Sequence, residues 1–421
     1  MAAESAEAVL DHIGHGADLI VPLANGEPVA LLDAIEAHAE QLRDVTVHQM
    51  HALHDRPYLH GAFGDRLRHV SYFLSHVTRP CFRAGTVELV PNNFSEMRDI
   101  LQGRTSDPLV LAAASPLDGH GYFSLGLNAD YVSSFIGRAR FFLEANAQMP
   151  RTFGRNQIHV SQVIAWVDVD RPLVEVTAPE RSDADERIAA LVAERIPDRA
   201  TIQTGIGAIP NALLSALGGH RDLGVHTELI SDGVMELVEA GVVTGVAKQL
   251  NRTKTVGTFA LGSTRLYRFL DDNTAFELWP VRYVNDPRVI AQEDGFVSIN
   301  ATVSVDLIGQ CASETVNGAY YSSSGGQADF ARGSMYSRGG QGFVVLHSTA
   351  KESAISRIVT QLTPGDVVTT LKNTVDHVVT EWGVAKLRGR SIRERASALI
   401  AIAHPDHRDR LRFEARRVGY L

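Results

Sequence analysis

Short apolar runs alternate with amphipathic stretches along most of the chain. The runs at 201–203, 225–230, 297–299, 343–346 and 377–380 have the length of buried strands, and patterns with a helical period lie between them. This alternation predicts the α/β fold class, with mostly parallel sheets and helices on both faces. Ligands of such sheets bind beyond the carboxyl ends of the strands, so the residues that follow each run are the candidates for function.

The same order of elements occurs twice in the chain. Residues 18–35 and residues 200–217 each predict a strand, a turn and a helix that a proline opens, Pro28 in the first copy and Pro210 in the second. The prolines are 182 positions apart (210 − 28), and the apolar residues at 30–32 and 34 recur at the same spacing. An internal repeat of this kind indicates two related units.

The repeat also suggests how the chain divides. A helix-like amphipathic stretch precedes each copy, at 6–13 and at 185–196, and the acidic segment 178–186 between the copies is the expected linker. We therefore expect two related open-sheet α/β domains, the N-terminal one at residues 1–180 and the C-terminal one at residues 181–421.

Composition excludes several classes of protein. The chain of 421 residues is 44% hydrophobic and 21% charged, which is typical of a globular enzyme. Its net charge of −9 offers no attraction to nucleic acid or to a membrane surface, so neither is an expected partner. The chain begins with acidic residues where a signal peptide is basic, and its two cysteines suit a reducing compartment. We therefore expect a cytoplasmic protein.

One carboxylate stands among apolar neighbours at the predicted junction of a short strand and a helix. This is Glu228, and two glycine-containing turns, 204–210 and 324–330, lie upstream and downstream of it. A carboxylate with raised proton affinity beside backbone N–H donors is what covalent acyl transfer requires, so Glu228 is the candidate nucleophile. Glu277 and Glu381 are competing carboxylates, and each is equally compatible with a core carboxylate paired with an arginine.

The upstream turn is a candidate phosphate site. Gly205 and Gly207 follow a predicted strand and open a predicted helix, where glycines let a phosphate approach the free N–H groups of the first helical turn. A dinucleotide fingerprint, with Glu228 holding a ribose, would make the protein an NAD-dependent dehydrogenase. Pro210 stands where that fingerprint needs its third glycine, which counts against it. A tight turn without a ligand is a further alternative.

The downstream loop is a candidate oxyanion hole. Gly325 and Gly326 are adjacent, so their N–H groups can point at one atom, although a polar surface loop is equally compatible. Lys351 follows another predicted strand and could pair with a phosphate. The histidines His48, His51, His54 and His60 have neither the spacing nor the accompanying carboxylate or cysteine of a metal site, so no metal is expected.

Taken together, these motifs resemble the acetyl-CoA hydrolase/transferase family, particularly its 4-hydroxybutyrate and butyrate–acetate CoA-transferase branch. The resemblance covers most of the chain and is densest from residue 203 to residue 404. The matching segments are 203–210, 226–233, 283–287, 298–300, 305–310, 325–330, 379–385 and 402–405.

The resemblance implies a role for each candidate. Glu228 would become a glutamyl-CoA thioester, and Gly326 would hold the acyl oxyanion. The residues that would bind CoA are Gly205, Ile206, Gly207, Ala208, Ile209, Ser322, Gly326 and Lys351. The resemblance also implies an active site in the cleft between two α/β domains, coenzyme A as a substrate with no metal, and a homodimer. Departures at Ser322–Ser324 and Ala301–Thr302, near the implied acyl pocket, leave the acid undetermined.

The expected reaction is ping-pong transfer of CoA between a short-chain acyl-CoA and a carboxylate. Acetate, propionate, butyrate and 4-hydroxybutyrate all stay open as the acid. An acyl-CoA hydrolase would use the same glutamate, with water as the acceptor. A nonenzymatic CoA-binding regulator and an NAD-dependent dehydrogenase are the alternatives from other classes. In the first domain, Asn92, Asn93 and Glu96 are guesses for the wall of the acyl pocket.

Overall fold

The computed structural model describes residues 3–177, 179–351 and 353–421. The chain forms two compact units, of which the first comprises residues 1–177 and 256–284 and the second comprises residues 178–255 and 285–421. The division at residues 180 and 181 stays a prediction. The compact units differ from it in two respects: the first boundary follows residue 177, and the segment 256–284 belongs with the first unit.

Helices and strands alternate in the described residues. The α-helices are α1 (Val29–Ala37), α2 (Thr78–Ala84), α3 (Met97–Arg104), α4 (Asp183–Ala193), α5 (Ala208–Ala216), α6 (Asp232–Glu239), α7 (Thr264–Leu270), α8 (Val281–Val284), α9 (Pro287–Ile290), α10 (Gln327–Tyr336), α11 (Ile392–Ala401) and α12 (Pro405–Arg417). The short 3-10 helices are Ala6–His12, Ala24–Gly26, Ala39–Gln41, Pro57–His60, Gly64–Arg66, Phe94–Glu96, Val132–Phe135, Val160–Gln162 and Leu217–Gly219.

The strands are mostly short. They are β1 (Asp18–Val21), β2 (Val45–Gln49), β3 (Leu67–Ser71), β4 (Val87–Leu89), β5 (Leu109–Ala114), β6 (Tyr122–Ser124), β7 (Arg140–Asn146), β8 (Phe153–Gly154), β9 (Gln157–His159), β10 (Ala165–Val169), β11 (Thr201–Gln203), β12 (Gly224–Val225), β13 (Leu229–Ile230), β14 (Thr255–Gly257), β15 (Phe259–Ala260), β16 (Phe276–Leu278), β17 (Val297–Ala301), β18 (Ser304–Asp306), β19 (Cys311–Ala312), β20 (Thr315–Val316), β21 (Ala319–Tyr320), β22 (Gln341–Val345), β23 (Thr349–Ala350), β24 (Ile355–Ser356), β25 (Ile358–Val359), β26 (His377–Thr380) and β27 (Gly383–Lys386).

The first unit is built on a seven-stranded sheet in the order β10-β7-β5-β1-β2-β3-β4, in which every neighbouring pair is parallel. All six residues of β5 are buried, as expected for a parallel strand that is covered on both faces. On one face, Leu31 and Ile35 of α1 share a core with Leu19 and Val21 of β1 and with Val47 of β2.

The second unit is built on a six-stranded sheet in the order β12-β11-β17-β22-β26-β27. Its first five strands are parallel, and β27 joins β26 as an antiparallel edge strand. Val344 of β22 and Val378 of β26 share a core with Leu399 of α11 and Leu411 of α12. The prediction of an α/β fold with mostly parallel sheets is therefore confirmed.

The two sheets share a strand order around the repeated segment. In the first sheet β1 lies between β5 and β2, and in the second sheet β11 lies between β17 and β12. The strands β1 and β11 open the two copies found in the sequence, so the copies have equivalent neighbours, although β1 is the middle strand of its sheet and β11 lies next to an edge strand. At each of these positions the strand order reverses, which is where open α/β sheets bind ligands.

Some local expectations were wrong in detail. The run 225–230 forms two short strands, β12 and β13, with Glu228 between them. The helix-like stretch 6–13 is helical, but as the 3-10 helix Ala6–His12. Part of the expected linker is helical, because Ser182 and Asp185 form a reciprocal capping box that starts α4 at Asp183. Ala178, also in that segment, lies outside the described residues. Among the helices that the structure describes, none combines the length and apolarity needed to cross a membrane.

Candidate active site

Glu228 lies at the carboxyl edge of the second sheet. The strand β12 ends at Val225, its neighbour β11 ends at Gln203, and Glu228 follows β12 by three residues. The side chain of Gln203 accepts a hydrogen bond from the N–H of Ile299 (3.2 Å) and so ties β11 to β17 at the point where the strand order reverses. The carboxylate therefore stands where this fold class places its ligands.

Two donors point at the Glu228 carboxylate. The amide Nδ2 of Asn285 donates to Oε2 at 2.7 Å, and the backbone N–H of Gly326 donates to the same carboxylate. Glu228 is half-buried, and Asn285 is fully buried. Burial raises the pKa of Glu228 from its ordinary 4.5 to about 7, while the hydrogen bonds from Asn285 and then Gly326 act to lower it. Near neutral pH the carboxylate is thus poorly solvated and partly ionised, as a nucleophile of this type requires.

Gly326 leaves no room for a side chain beside this carboxylate. A Cβ atom at position 326 would overlap Oε2 of Glu228 and Nδ2 of Asn285. The backbone of Gly326 has φ −96°, which any residue adopts, so glycine is required here by space and not by conformation. Gly326 is also the N-cap of the ten-residue helix α10, whose N-terminal end carries partial positive charge that favours a nearby carboxylate.

The loop that precedes Gly326 is held mainly by Glu314. Its carbonyl oxygen accepts from the N–H groups of Tyr321 (2.7 Å) and Ser322 (3.1 Å), and its carboxylate accepts from the hydroxyl of Ser324 (3.1 Å). The hydroxyl of Ser322 donates to the carbonyl oxygen of Ser313 at 3.3 Å. The loop containing Ser322 and Gly326 is therefore ordered by its own hydrogen bonds.

The upstream glycine turn is tied to the residue next to Glu228. The hydroxyl of Thr227 donates to the carbonyl oxygen of Thr204 (2.9 Å) and accepts from the N–H of Thr204 (3.3 Å), and both threonines are buried. The segment 205–209 begins immediately after Thr204. A Cβ atom at Gly205 would meet only open space, and Gly207, at φ +125°, is the N-cap of α5. The backbone of this turn is thus open to a ligand and fixed relative to Glu228.

The predicted site residues fall into three groups. Glu228 and Gly326 are in direct contact, and Ser322 lies in the loop of Gly326. Gly205, Ile206, Gly207, Ala208 and Ile209 are connected to them through Thr227; the side chain of Ile206 is 48% exposed. Lys351 is exposed on a separate loop, after β22 and the short strand β23.

The competing carboxylates are engaged elsewhere. Glu277 lies in β16 of the first unit and accepts from the indole N–H of Trp279 at 2.8 Å. Glu381 accepts from both the hydroxyl and the N–H of Ser348, the latter at 2.9 Å. The bonded donors are therefore an indole, a hydroxyl and an amide, where the sequence had suggested arginines.

Three of the four candidate histidines each lie beside a carboxylate. His48 contacts Asp18 (3.0 Å), His54 contacts Glu27 (3.3 Å) and His60 contacts Asp55 (2.6 Å). Across the residues that the structure describes, no group of three or more His, Cys, Asp or Glu side chains is placed to hold a metal ion.

Sequence reasoning missed Asn285. The residue lies in the segment 283–287, one of those that resemble the family, but the resemblance gives it no role. An asparagine carries no charge and is 57 positions from Glu228, so nothing local marks it as a partner of the carboxylate. The usable signal was its place just before Asp286 and Pro287, which cap and start the helix α9.

A half-buried glutamate with converging amide donors, at the reversal point of a parallel sheet, is the arrangement expected in an enzyme of acyl transfer. Residues 2–177 match the acetyl-CoA hydrolase/transferase N-terminal domain, and residues 262–415 match the acetyl-CoA hydrolase/transferase C-terminal domain. The chain belongs to the acetyl-CoA hydrolase/transferase family, and within it the chain is a CoA-transferase. The predicted family is therefore confirmed.

Individual relatives are similar over almost their whole length. The chain is 44% identical to the succinyl-CoA:cyclohexane-1-carboxylate CoA transferase of Geobacter metallireducens, covering 96% of this chain and 92% of the relative. It is 39% identical to the 4-hydroxybutyrate coenzyme A transferase of Clostridium kluyveri, covering 97% and 95%. The crystal structure of RipA from Yersinia pestis matches with a TM-score of 0.95 at 37% identity, covering 100% of this chain and 98% of that one.

Proposed function

We propose that this enzyme moves CoA between a short-chain acyl-CoA and a carboxylic acid such as acetate, through a glutamyl-CoA thioester on Glu228. The observation that carries the proposal is the convergence of the Asn285 amide and the Gly326 N–H on a half-buried carboxylate. Supporting it, the glycine turn 205–209 is open to a ligand and is tied to Thr227, the neighbour of the proposed nucleophile.

The proposed chemistry has two displacements in each half-reaction. A carboxylate oxygen of Glu228 attacks the thioester carbonyl, the C–S bond breaks, and CoA leaves as a thiolate from a mixed anhydride. The thiolate then attacks the glutamyl carbonyl carbon, and the acid leaves as its carboxylate. CoA is now joined to Glu228 as a thioester, and an acceptor carboxylate reverses the two steps.

Asn285 and Gly326 would act on the oxygen that gains charge. When the thiolate attacks the glutamyl carbonyl carbon, the carbonyl oxygen of Glu228 becomes an oxyanion. Asn285 and Gly326 already donate to this carboxyl group, so they can stabilise the oxyanion without rearrangement. Removing one such donor costs about 3–4 kcal/mol of transition-state stabilisation in comparable sites. A Cβ at position 326 would displace the side chains of Glu228 and Asn285, so glycine is needed to keep the N–H of residue 326 close to the carboxylate.

The CoA-binding part of the proposal uses three segments. The turn Gly205, Ile206, Gly207, Ala208 and Ile209 offers free N–H groups at the start of the nine-residue helix α5, an arrangement that suits a phosphate. Ser322 lies in the loop that leads to Gly326, where the thioester end would be held. Lys351 is exposed and cationic, as a phosphate partner must be.

The decisive experiment is mass spectrometry of the enzyme incubated with acetyl-CoA and no acceptor acid. The expected result is a CoA adduct on the peptide that contains Glu228, absent in Glu228→Gln. Glu277→Gln is the matched control, since it neutralises a carboxylate that is engaged elsewhere, and it should keep the adduct. An adduct on any other residue would contradict the assignment of Glu228.

The same preparation distinguishes transfer from hydrolysis. CoA release is measured with and without acetate: a transferase needs the acid, and a hydrolase releases CoA into water at the same rate without it. A panel of acetate, propionate, butyrate and 4-hydroxybutyrate as acceptors then identifies the preferred acid. The proposal includes a homodimer, as the family resemblance implies, and a cytoplasmic location, which rests on the composition of the sequence. Light scattering of the purified enzyme checks the dimer.

A further inference from the structure

The hairpin that ends β26 carries an exposed tryptophan with no role in the chemistry described so far. Glu381 and Trp382 form the two-residue turn between β26 and β27, in which Thr380 pairs with Gly383. The side chain of Trp382 is 41% exposed. The guanidinium of Arg408 lies over its ring, 5.7 Å from the centroid, and His404 meets it edge to face at 5.4 Å. The indole is thus held in place while much of it stays open to solvent.

This tryptophan shares a sheet edge with the proposed catalytic residues. Glu228 follows β12, the turn 205–209 follows β11, Lys351 follows β22, and Trp382 follows β26. These strands are parallel, so the connections that carry all four features leave the carboxyl ends of one sheet, with Lys351 placed after the further short strand β23. Four strand spacings separate β12 from β26, which is about 19 Å at the usual distance between strands.

The loop that carries Lys351 is fastened to the same hairpin. Glu381, next to Trp382, accepts from the N–H and hydroxyl of Ser348, at the start of that loop. His407, one residue before Arg408, contacts the carbonyl oxygen of Ser353 at 2.8 Å, beyond Lys351. The loop that carries Lys351 and the hairpin that carries Trp382 are therefore joined by hydrogen bonds, several strands away from Glu228.

We propose that Trp382 is the stacking platform for the adenine of CoA, and that Lys351, on the loop hydrogen-bonded to the same hairpin, meets the phosphates of the same nucleotide. This inference rests on the proposed function, because it takes the thiol end of CoA to lie at Glu228. A purine has a flat apolar face that stacks on an indole, and the guanidinium of Arg408 polarises that indole. CoA has its thiol at one end and an adenosine phosphate at the other, so a single molecule would extend along the sheet edge from Glu228 to Trp382.

The test measures binding in Glu228→Gln, so that no adduct forms and binding alone is read. This parent, with Trp382 intact, is compared with its Trp382→Ala and Trp382→Phe variants. Each protein is titrated calorimetrically with CoA and with pantetheine, which lacks the nucleotide. We expect Trp382→Ala to weaken CoA binding about 10-fold, equivalent to about 1.4 kcal/mol and within the range of base–aromatic stacking. Pantetheine binding should be unchanged, and Trp382→Phe should retain most of the affinity for CoA.

The matched control is Phe413→Ala, which removes an aromatic ring that is 68% exposed on α12, the helix that carries Arg408. It should leave CoA binding unchanged. Adenosine 3′,5′-bisphosphate should compete with CoA in the parent, and about 10-fold more weakly in Trp382→Ala. If Trp382→Ala binds CoA as tightly as the parent does, Trp382 is not a platform for adenine. The same conclusion follows if Trp382→Ala loses affinity for CoA and for pantetheine by the same factor. Failure of the parent to bind CoA at all would instead refute the proposed function.

Discussion

The raised pKa of Glu228 predicts an unusual pH dependence for the first half-reaction. Only the ionised carboxylate can attack the thioester, and burial raises the pKa of Glu228 to about 7. At pH 5 about one enzyme in a hundred would be ionised, against about nine in ten at pH 8. The value of kcat/KM for the acyl-CoA should therefore fall about 90-fold between pH 8 and pH 5. A glutamate at its ordinary pKa of 4.5 would lose only about 1.3-fold over the same interval.

The assay follows kcat/KM for the acyl donor, because this parameter reports the ionisation of the free enzyme. Acetyl-pantetheine serves as a second donor, since the CoA phosphates titrate near pH 6 and pantetheine has none. Both donors should show the same acidic limb with a midpoint near pH 7. In Asn285→Leu the limb should move to higher pH, because the amide hydrogen bond that lowers the pKa of Glu228 is removed. A limb with its midpoint near 4.5 for acetyl-pantetheine would refute the reasoning.

Three further variants test the surroundings of the carboxylate. Gly326→Ala places a methyl group on Glu228 and Asn285, so kcat/KM should fall at least about 100-fold while urea unfolding changes by less than about 2 kcal/mol; normal activity would show that position 326 has room. Thr227→Val removes the hydroxyl that pairs with the buried N–H and C=O of Thr204. The free energy of unfolding in urea should fall by about 1–3 kcal/mol, and KM for acyl-CoA should rise. Thr227→Ser keeps the hydroxyl and should restore the stability and the KM. The pKa of Glu228 is higher in the folded state than in the unfolded state, so the contribution of Glu228 to stability is complete below about pH 4.5 and is lost as pH rises through about 7. In urea unfolding, Glu228→Gln should therefore be more stable than the parent by about 3 kcal/mol at pH 8 and by less than about 1 kcal/mol at pH 5. A stability difference that does not grow with pH would contradict the raised pKa.

The adenine platform at Trp382 and the thioester on Glu228 are separate proposals that can be tested independently. The adenine platform at Trp382 can fail while the thioester on Glu228 stands, since one concerns affinity for a nucleotide and the other concerns a covalent bond. The roles of Asn285 and Gly326 depend on Glu228 directly, because all their relevant contacts are to its carboxylate. The mass-spectrometric test of Glu228 is therefore the first experiment to perform.

Several features were predictable because they depend on residues that are neighbours in sequence. The alternation of strands and helices follows from local hydrophobic periodicity, and the α/β fold with parallel sheets is observed. The repeat around Pro28 and Pro210 predicted two related units, and β1 and β11 do have equivalent neighbours in their sheets. The isolation of Glu228 among apolar residues marked it as the candidate nucleophile before any geometry was known.

Other features were decided only when distant segments came together. The residue that donates to Glu228 is 57 positions away, and an asparagine carries no periodic or charge signal of such a role. The need for glycine at 326 arises from atoms of Glu228 and Asn285 that fill the space of its Cβ. The raised pKa of Glu228 likewise comes from burial by the surrounding chain. Sequence by itself determined most of the elements and the candidate nucleophile, because these depend on short-range pattern. The tertiary structure alone decided the environment of that side chain, because desolvation and hydrogen-bond convergence exist only between segments that folding brings together.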